Sequence, residues 1–275
     1  MIEFLRLGLL VFLHPDSPAA VYRNPYRLAS NIAARMLNMY LRLRDRLRQE
    51  RRVTCSMCGW QGHRFGYWAA ISANQFLADQ ICLECGSSRQ TRLLVELLEQ
   101  RLDVTNGQLT LIEIGPSRAS RRYFSQHPAV RYLAIDRFKR SNILSDVMDL
   151  ALRDNSADAF VCCNVLEHIV DYRRAISELY RILKPGRWGI IVVPETKELE
   201  KSYQIRSVTF HGYGHIWEFG NDFVKRVAEA GFMVESVYTW DEDSTATSLR
   251  RGPFYVVSKP DQPGDGIHPL WQRVD

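Results

Sequence analysis

Four cysteines fall into two pairs at a spacing that metal chemistry uses: Cys55-x-x-Cys58 and Cys82-x-x-Cys85, each followed directly by glycine, Gly59 and Gly86. Each pair can close a tight turn whose backbone N–H groups stabilise thiolate, and two such turns present four sulfurs to one tetrahedral Zn²⁺. Four sulfur ligands leave no position for water, so the site they predict is closed and structural; a redox dithiol is the competing chemistry. His63 lies beside the first pair but is surplus once four sulfurs are counted, and is expected at the surface. Cys162 and Cys163 are adjacent within an apolar run and read as core.

A second group of candidates sits where short apolar runs end. LTLIEI (109–114) leads into Gly115-Pro116-Ser117 and carries Glu113 near its end; RYLAID (131–136) ends in Asp136; NILSD (142–146) ends in Asp146; AFVCCN (159–164) leads into Val165-Leu166-Glu167-His168. In an open parallel sheet, ligands bind at the carboxyl ends of the strands. Gly115 would let a ligand approach the backbone, Asp136 can accept hydrogen bonds from both hydroxyls of a ribose, and Asp146 can accept from an exocyclic adenine amine. A nicotinamide dinucleotide would use the same acidic spacing. However, the further glycines that a pyrophosphate needs after Gly115 are replaced by Ser117 and Ala119. Asp136 can equally cap a turn, and Glu167-His168 can start a helix and bond locally.

Downstream, Phe210-His211-Gly212-Tyr213-Gly214-His215-Ile216-Trp217-Glu218 is a loop of the kind that covers the acceptor side of such a sheet. His211 or His215 can act as a general base near neutral pH, His168 is a third candidate, and all three can instead serve as structural hydrogen-bonding residues.

These residues need a scaffold. Together with WGIIVVP (188–194), MVESVYTW (233–240) and FYVVS (254–258), the four runs make seven strands, and amphipathic helices fall at 118–126, 171–183 and 220–230. Almost wholly apolar strands alternating with helices predict an α/β fold: a doubly wound, mostly parallel seven-stranded sheet covered on both faces. The last two strands lack a helix between them, which predicts an antiparallel edge. Lys184-Pro185-Gly186 reads as a turn.

The stretch DNSADAFVCCNVLEHIVDYRRAISELYRILKPGRWGIIVVPE resembles the central block of the class I S-adenosylmethionine-dependent methyltransferases, in particular a broad type 11-like group, with a strand ending in Asn, then Leu-Glu-His, a helix, and Leu-Lys-Pro-Gly before the next strand. The order knuckle, knuckle, Arg-x-x-Arg helix and this block further resembles a bacterial subgroup with an N-terminal four-cysteine zinc module. The resemblance covers roughly residues 53–258. It implies that Glu113, Gly115 and the backbone at Pro116 and Ser117 border the methionine part of S-adenosylmethionine. Asp136 would bind the ribose, with Arg137 beside it. Asp146 and Val147 would border adenine, and Asn164 and Val165 would close the pocket beneath the sulfonium. It also implies methyl transfer to an O or N acceptor, first of all a small molecule or sugar, with RNA as the second reading on account of the knuckles and the basic residues around them. Glu-Ile-Gly-Pro-Ser departs from the family's acidic-x-Gly-x-Gly loop, and that departure motivates a rival: a non-catalytic, zinc-held scaffold of the same fold.

Charge is unevenly spread. Residues 1–54 hold ten Arg against two Asp and two Glu, a balance of +6, which leaves −1 for the rest of a chain whose total is +5. A wholly basic nucleic-acid-binding domain is thereby disfavoured. Residues 26–52 place Leu28, Ile32, Met36, Met39, Leu43 and Leu47 on one face of a long helix, with Arg crowding the other. Such a helix can pack on the main domain or a second copy, lie on an anionic membrane surface, or contact RNA. Arg89 and Arg92 after the knuckles add to the RNA alternative.

The expected organisation is a basic helical extension (1–54), a zinc module (55–90), the cofactor-binding domain (91–258) and an irregular tail (259–275). The apolar run Leu7–Leu13 is closed by His14-Pro15, far short of the ~20 residues a span needs. With no convincing secretory cleavage site and no disulfide-like cysteine pattern, a cytoplasmic protein is expected.

Overall fold

A computed structural model describes residues 25–48, 51–70, 75–102, 108–137, 141–194, 199–205, 215–237 and 254–261. By chain contacts it divides into two compact units, one of residues 1–96 and 205–215, the other of 97–204 and 216–275.

The first unit begins with α1 (Pro25–Arg48), followed by β1 (Val53–Thr54), β2 (Gln61–Gly62), β3 (Gly66–Ala70) and β4 (Gln75–Ile81). β1 pairs antiparallel with β2, and β3 with β4. α1 packs on β3 through the face that carries Ala34, Asn38, Leu41 and Asp45; Ala34 and Leu41 are buried. Asn38 makes the junction specific: its Oδ1 accepts from the Tyr67 N–H at 2.7 Å and its Nδ2 donates to the Tyr67 carbonyl at 2.9 Å. One side-chain amide thus satisfies both backbone groups of a strand residue, as a neighbouring strand would. Asp45 Oδ1 accepts from the His63 N–H at 3.3 Å, and His63 is half-buried where the surface was expected.

α2 (Arg89–Leu102) gives its first half to this unit and its second half to the other. The second unit continues with β5 (Leu109–Ile114), α3 (Arg118–Phe124), β6 (Val130–Asp136), β7 (Ile143–Leu144), β8 (Ala157–Cys163), a short turn of 3₁₀-helix (Leu166–His168), α4 (Tyr172–Ile182), β9 (Leu183–Val192), β10 (Tyr203–Gln204), β11 (Trp217–Glu218), α5 (Phe223–Ala228), β12 (Met233–Val237) and β13 (Phe254–Ser258). The large sheet runs β12-β13-β9-β8-β5-β6-β7, parallel except for β13, which is antiparallel to both neighbours. This is the doubly wound, mostly parallel seven-stranded α/β architecture expected from the strand pattern.

The expected antiparallel edge is formed by the last two strands, β12 and β13. β13 lies between β9 and β12, and β12 forms the edge. Phe254, Tyr255, Val256 and Val257 are all buried, so this strand is apolar on both faces and needs a neighbour on each side; β12, with exposed Glu235, tolerates an edge. β9 begins earlier than expected, with Lys184, Pro185 and Gly186 inside its range and an irregularity in register against Ala157 and Ala159 of β8. The core is built from Ile112, Ile114, Ile135, Phe160, Ile191 and Tyr255 of the sheet, against Ala175, Ile176, Leu179 and Ile182 at helical spacing on α4. Asp171 caps α4 by accepting from the Arg174 N–H at 3.1 Å.

Candidate functional site

Cys55, Cys58, Cys82 and Cys85 converge with their sulfurs all within 4.8 Å of one another. Cys55 Sγ is 3.8 Å from Cys85 Sγ, and Cys58 Sγ is 3.7 Å from Cys82 Sγ. Sulfurs at ~2.3 Å from a tetrahedral Zn²⁺ are separated by about 3.8 Å, so the four lie at the edge length of such a site. Each pair owes its shape to a turn closed by glycine. Gly59 and Gly86 have φ of 68° and 74°, and their N–H groups donate to the carbonyls of Cys55 and Cys82 at 2.9 and 3.0 Å. Cys55 is held down to about 4, chiefly by the Cys82 thiol, with the Ser87 hydroxyl and the backbone at Met57 and Cys58 adding to the effect, while Cys58 is pushed up to about 11 by burial.

Arg92 does not face outward. It is buried, donates to the Ser87 carbonyl at 2.9 Å and lies 3.8 Å from the centre of the Phe65 ring. This corrects its expected part in RNA contact: the guanidinium braces the second knuckle. Arg89 is half-buried.

In the second unit, the strand order reverses between β5 and β8, and the acidic and polar candidates stand at the carboxyl ends of β5, β6 and β8. Gly115 leaves β5 with φ of 64°; its N–H donates to the Ile135 carbonyl at 2.9 Å, and a Cβ there would stand 2.7 Å from Val165 Cγ2. Only glycine meets both conditions. Pro116 is buried, and Ser117 caps α3 by accepting from the Ser120 N–H at 3.0 Å.

Glu113 is buried and accepts from the Tyr132 hydroxyl at 2.5 Å. Burial raises its carboxyl above the ordinary value, and the Tyr132 and Ser120 hydroxyls work in the other direction. Asp136 ends β6 half-buried, with Arg137 exposed beside it. Arg137 reaches Asp146 at 3.2 Å, and Asp146 Oδ1 accepts from the Met148 N–H at 2.9 Å, while Val147 is buried. Asn164 is exposed with φ of 53°, and its N–H donates to the Val192 carbonyl at 2.8 Å; Val165 is half-buried.

One residue was underrated by sequence reasoning. Glu167 is 1% exposed, both its carboxylate oxygens lack a hydrogen-bond partner among the described residues, and burial pushes it up to about 8. Burial pushes the Cys163 thiol at the end of β8 up, with the Glu167 and Glu113 carboxylates adding to it. The only sequence signal was an acid flanked by Leu166 and His168, which local helix initiation would also explain. His168 is half-buried, with Nε2 3.9 Å from Glu167 Oε1. His215 is half-buried immediately ahead of Ile216 and β11, and His211 lies outside the described residues.

Comparison with known proteins bears on residues 83–192, which match a family described as "Methyltransferase domain". A demethylmenaquinone methyltransferase of Staphylococcus epidermidis is 33% identical over 38% of this chain and 42% of its own length. An uncharacterised protein of Methanocaldococcus jannaschii is 38% identical over 37% of this chain and 46% of its own. The chain thus spans less than half the length of these curated relatives. Among solved structures, a 1,6-didemethyltoxoflavin-N1-methyltransferase of Burkholderia thailandensis with bound S-adenosylhomocysteine aligns at 15% identity and a TM-score of 0.44, over 60% of this chain and 75% of that one.

Proposed function

We propose that this chain is an S-adenosylmethionine-dependent methyltransferase acting on an O or N atom of a small-molecule or sugar-type acceptor. The observation that carries this reading is the match of residues 83–192 to a methyltransferase domain on a sheet whose strand ends hold Glu113, Gly115, Asp136 and Asn164 together. The site suits a cofactor without phosphates: Gly115 leaves open the one place where a side chain would collide with Val165, and the nearby side chains are acceptors for hydroxyl and amine groups.

In this reading Asp136 takes the ribose hydroxyls, with Arg137 alongside. Asp146 and Val147 border the adenine, Glu113, Gly115, Pro116 and Ser117 border the methionine end, and Asn164 and Val165 close the floor. Asp146 already holds a backbone N–H with one oxygen and Arg137 with the other, so an adenine amine would share these acceptors. S-adenosylmethionine supplies an electrophilic methyl, which passes to an acceptor lone pair as the S–C bond breaks and S-adenosylhomocysteine departs. The acceptor proton goes to a base, for which His168, His211 and His215 are the candidates. Positioning the acceptor in line with the breaking bond is the chain's larger task, since orientation alone can supply up to ~7–11 kcal/mol.

The four cysteines we assign to one structural Zn²⁺, supported by sulfur separations that match a tetrahedral site. The cysteine pattern also supports a cytoplasmic location. Calorimetry with S-adenosylmethionine tests the enzyme reading: binding in the micromolar range is expected, and no binding at millimolar cofactor would leave the non-catalytic scaffold, for which the Glu-Ile-Gly-Pro-Ser loop speaks.

A further inference from the structure

The face by which α1 packs is not its apolar face. Ala34, Asn38, Leu41 and Asp45 meet the knuckle module, whereas Ile32, Met36, Met39, Tyr40, Leu43 and Leu47 are exposed, Met39 at 67% and Leu47 at 75%. At 100° per residue, those six side chains fall within a stripe about 100° wide, centred nearly opposite the packed face. Arg35, Arg42 and Arg46 line one border of the stripe, and Arg44 and Arg48 the other. The helix holds six Arg and one acidic residue, Asp45, and that carboxylate is turned to the module, where it accepts from the His63 N–H.

We propose that this stripe seats on an anionic lipid surface. A stripe of Leu, Ile, Met and Tyr bordered by guanidinium on both sides is the composition of a helix that lies in the plane of a bilayer interface. The apolar side chains enter the acyl boundary, and the arginines spread outward to lipid phosphates. From Ile32 to Leu47 the stripe is about 24 Å long, enough for four turns to lie flat. Two other occupants fit less well. A second copy would set the same arginine borders against each other with no acidic residue to answer them, and RNA would leave the apolar centre wet while using only the borders. The contact is peripheral: no helix among the described residues is long and apolar enough to cross a membrane. The proposal does not depend on methyl transfer, because α1 belongs to the other unit.

The test is sedimentation of the full chain with vesicles of phosphatidylcholine alone and of phosphatidylcholine mixed with phosphatidylglycerol. Binding to the mixed vesicles is expected, weakening as salt rises, with little to the neutral ones. Leu43→Glu should reduce vesicle affinity at least about tenfold, since an apolar side chain is lost and a negative charge added at the stripe centre. Arg46→Gln should reduce it by about fivefold. Both positions are exposed, so the thermal unfolding profile of each variant should match that of the parent chain. A Leu47→Trp chain should show blue-shifted fluorescence with mixed vesicles. The proposal is overturned if Leu43→Glu leaves vesicle binding unchanged. It is also overturned by a dimer in solution that this substitution dissociates, which would assign the stripe to a second copy, or by RNA binding without vesicle binding, which would assign the arginines to phosphodiester.

Discussion

The knuckle module and the strand-end site hold their chemistry in opposite ways. The module brings four cysteine sulfurs together through two local turns, so its geometry is set within two short stretches of chain. The strand-end site draws on three strands whose contributing residues, Glu113, Asp136 and Asn164, never approach each other in sequence, and it depends on the whole sheet for its shape. A locally built site should fail when one of its atoms is removed. A site built by a sheet should degrade by degrees, according to how directly each residue touches the ligand.

The largest test of that contrast is metal removal. Chelation, or Cys82→Ala, should unfold the knuckle module, because structural Zn²⁺ sites contribute ~10–16 kcal/mol in small modules at neutral pH. If the two units are independent, S-adenosylmethionine affinity of the second should stay within about threefold. Metal analysis should return one equivalent in the parent protein, and less than half an equivalent would break the comparison.

Next is Gly115→Val. With φ of 64° and Val165 at 2.7 Å from a Cβ, a branched side chain is strained and fills the cradle. Cofactor binding measured by calorimetry should fall by ~100-fold or more, with the backbone strain alone on the order of 1–3 kcal/mol. Asp136→Ala should weaken binding by about 10–100-fold if its carboxylate accepts both ribose hydroxyls, since a charge-assisted hydrogen bond is worth ~1.5–3 kcal/mol. An unchanged affinity would return Asp136 to a turn-capping role.

The smallest effect concerns pH. Glu167 is pushed up to about 8 by burial, so the folded protein holds a proton there that the unfolded chain releases near the ordinary carboxyl value. Stability from this group is present at low pH and is lost as pH rises through that interval toward 8. Glu167→Gln should therefore flatten the decline in melting temperature between about pH 5 and 8, leaving the variant the more stable of the two at the upper end. A decline of equal slope in both proteins would remove Glu167 as its cause.

Much of the sheet could be read in advance because its strands are short and apolar. β5 and β13 have the bounds expected of LTLIEI and FYVVS, and β8 begins two residues before AFVCCN. The place of the reversed strand was not readable, since an apolar run does not say which strand will cover each of its edges. Glu167 was underrated for a related reason: a carboxyl beside a histidine looks like any helix start until the surrounding core is known to enclose it.

α1 is the clearest case of partial legibility. Its periodicity identified a helix and an apolar stripe, but burial was assigned by Ala34, Asn38 and Leu41 on the other side, because small and hydrogen-bonding side chains let the helix come close to β3. Arg92 teaches the same thing in reverse, a charge on paper that the fold turns inward onto Phe65.

What the sequence determined by itself is the set of groups whose action depends on type and local spacing: the two cysteine pairs with their glycine turns, the alternation of apolar strands and helices, and the acids at strand ends. What only the tertiary structure decided is which surfaces meet. Hydrophobic periodicity tells how many apolar faces an element has, while the choice of face, the position of β13 and the burial of Glu167 depend on close approach between segments far apart in the chain.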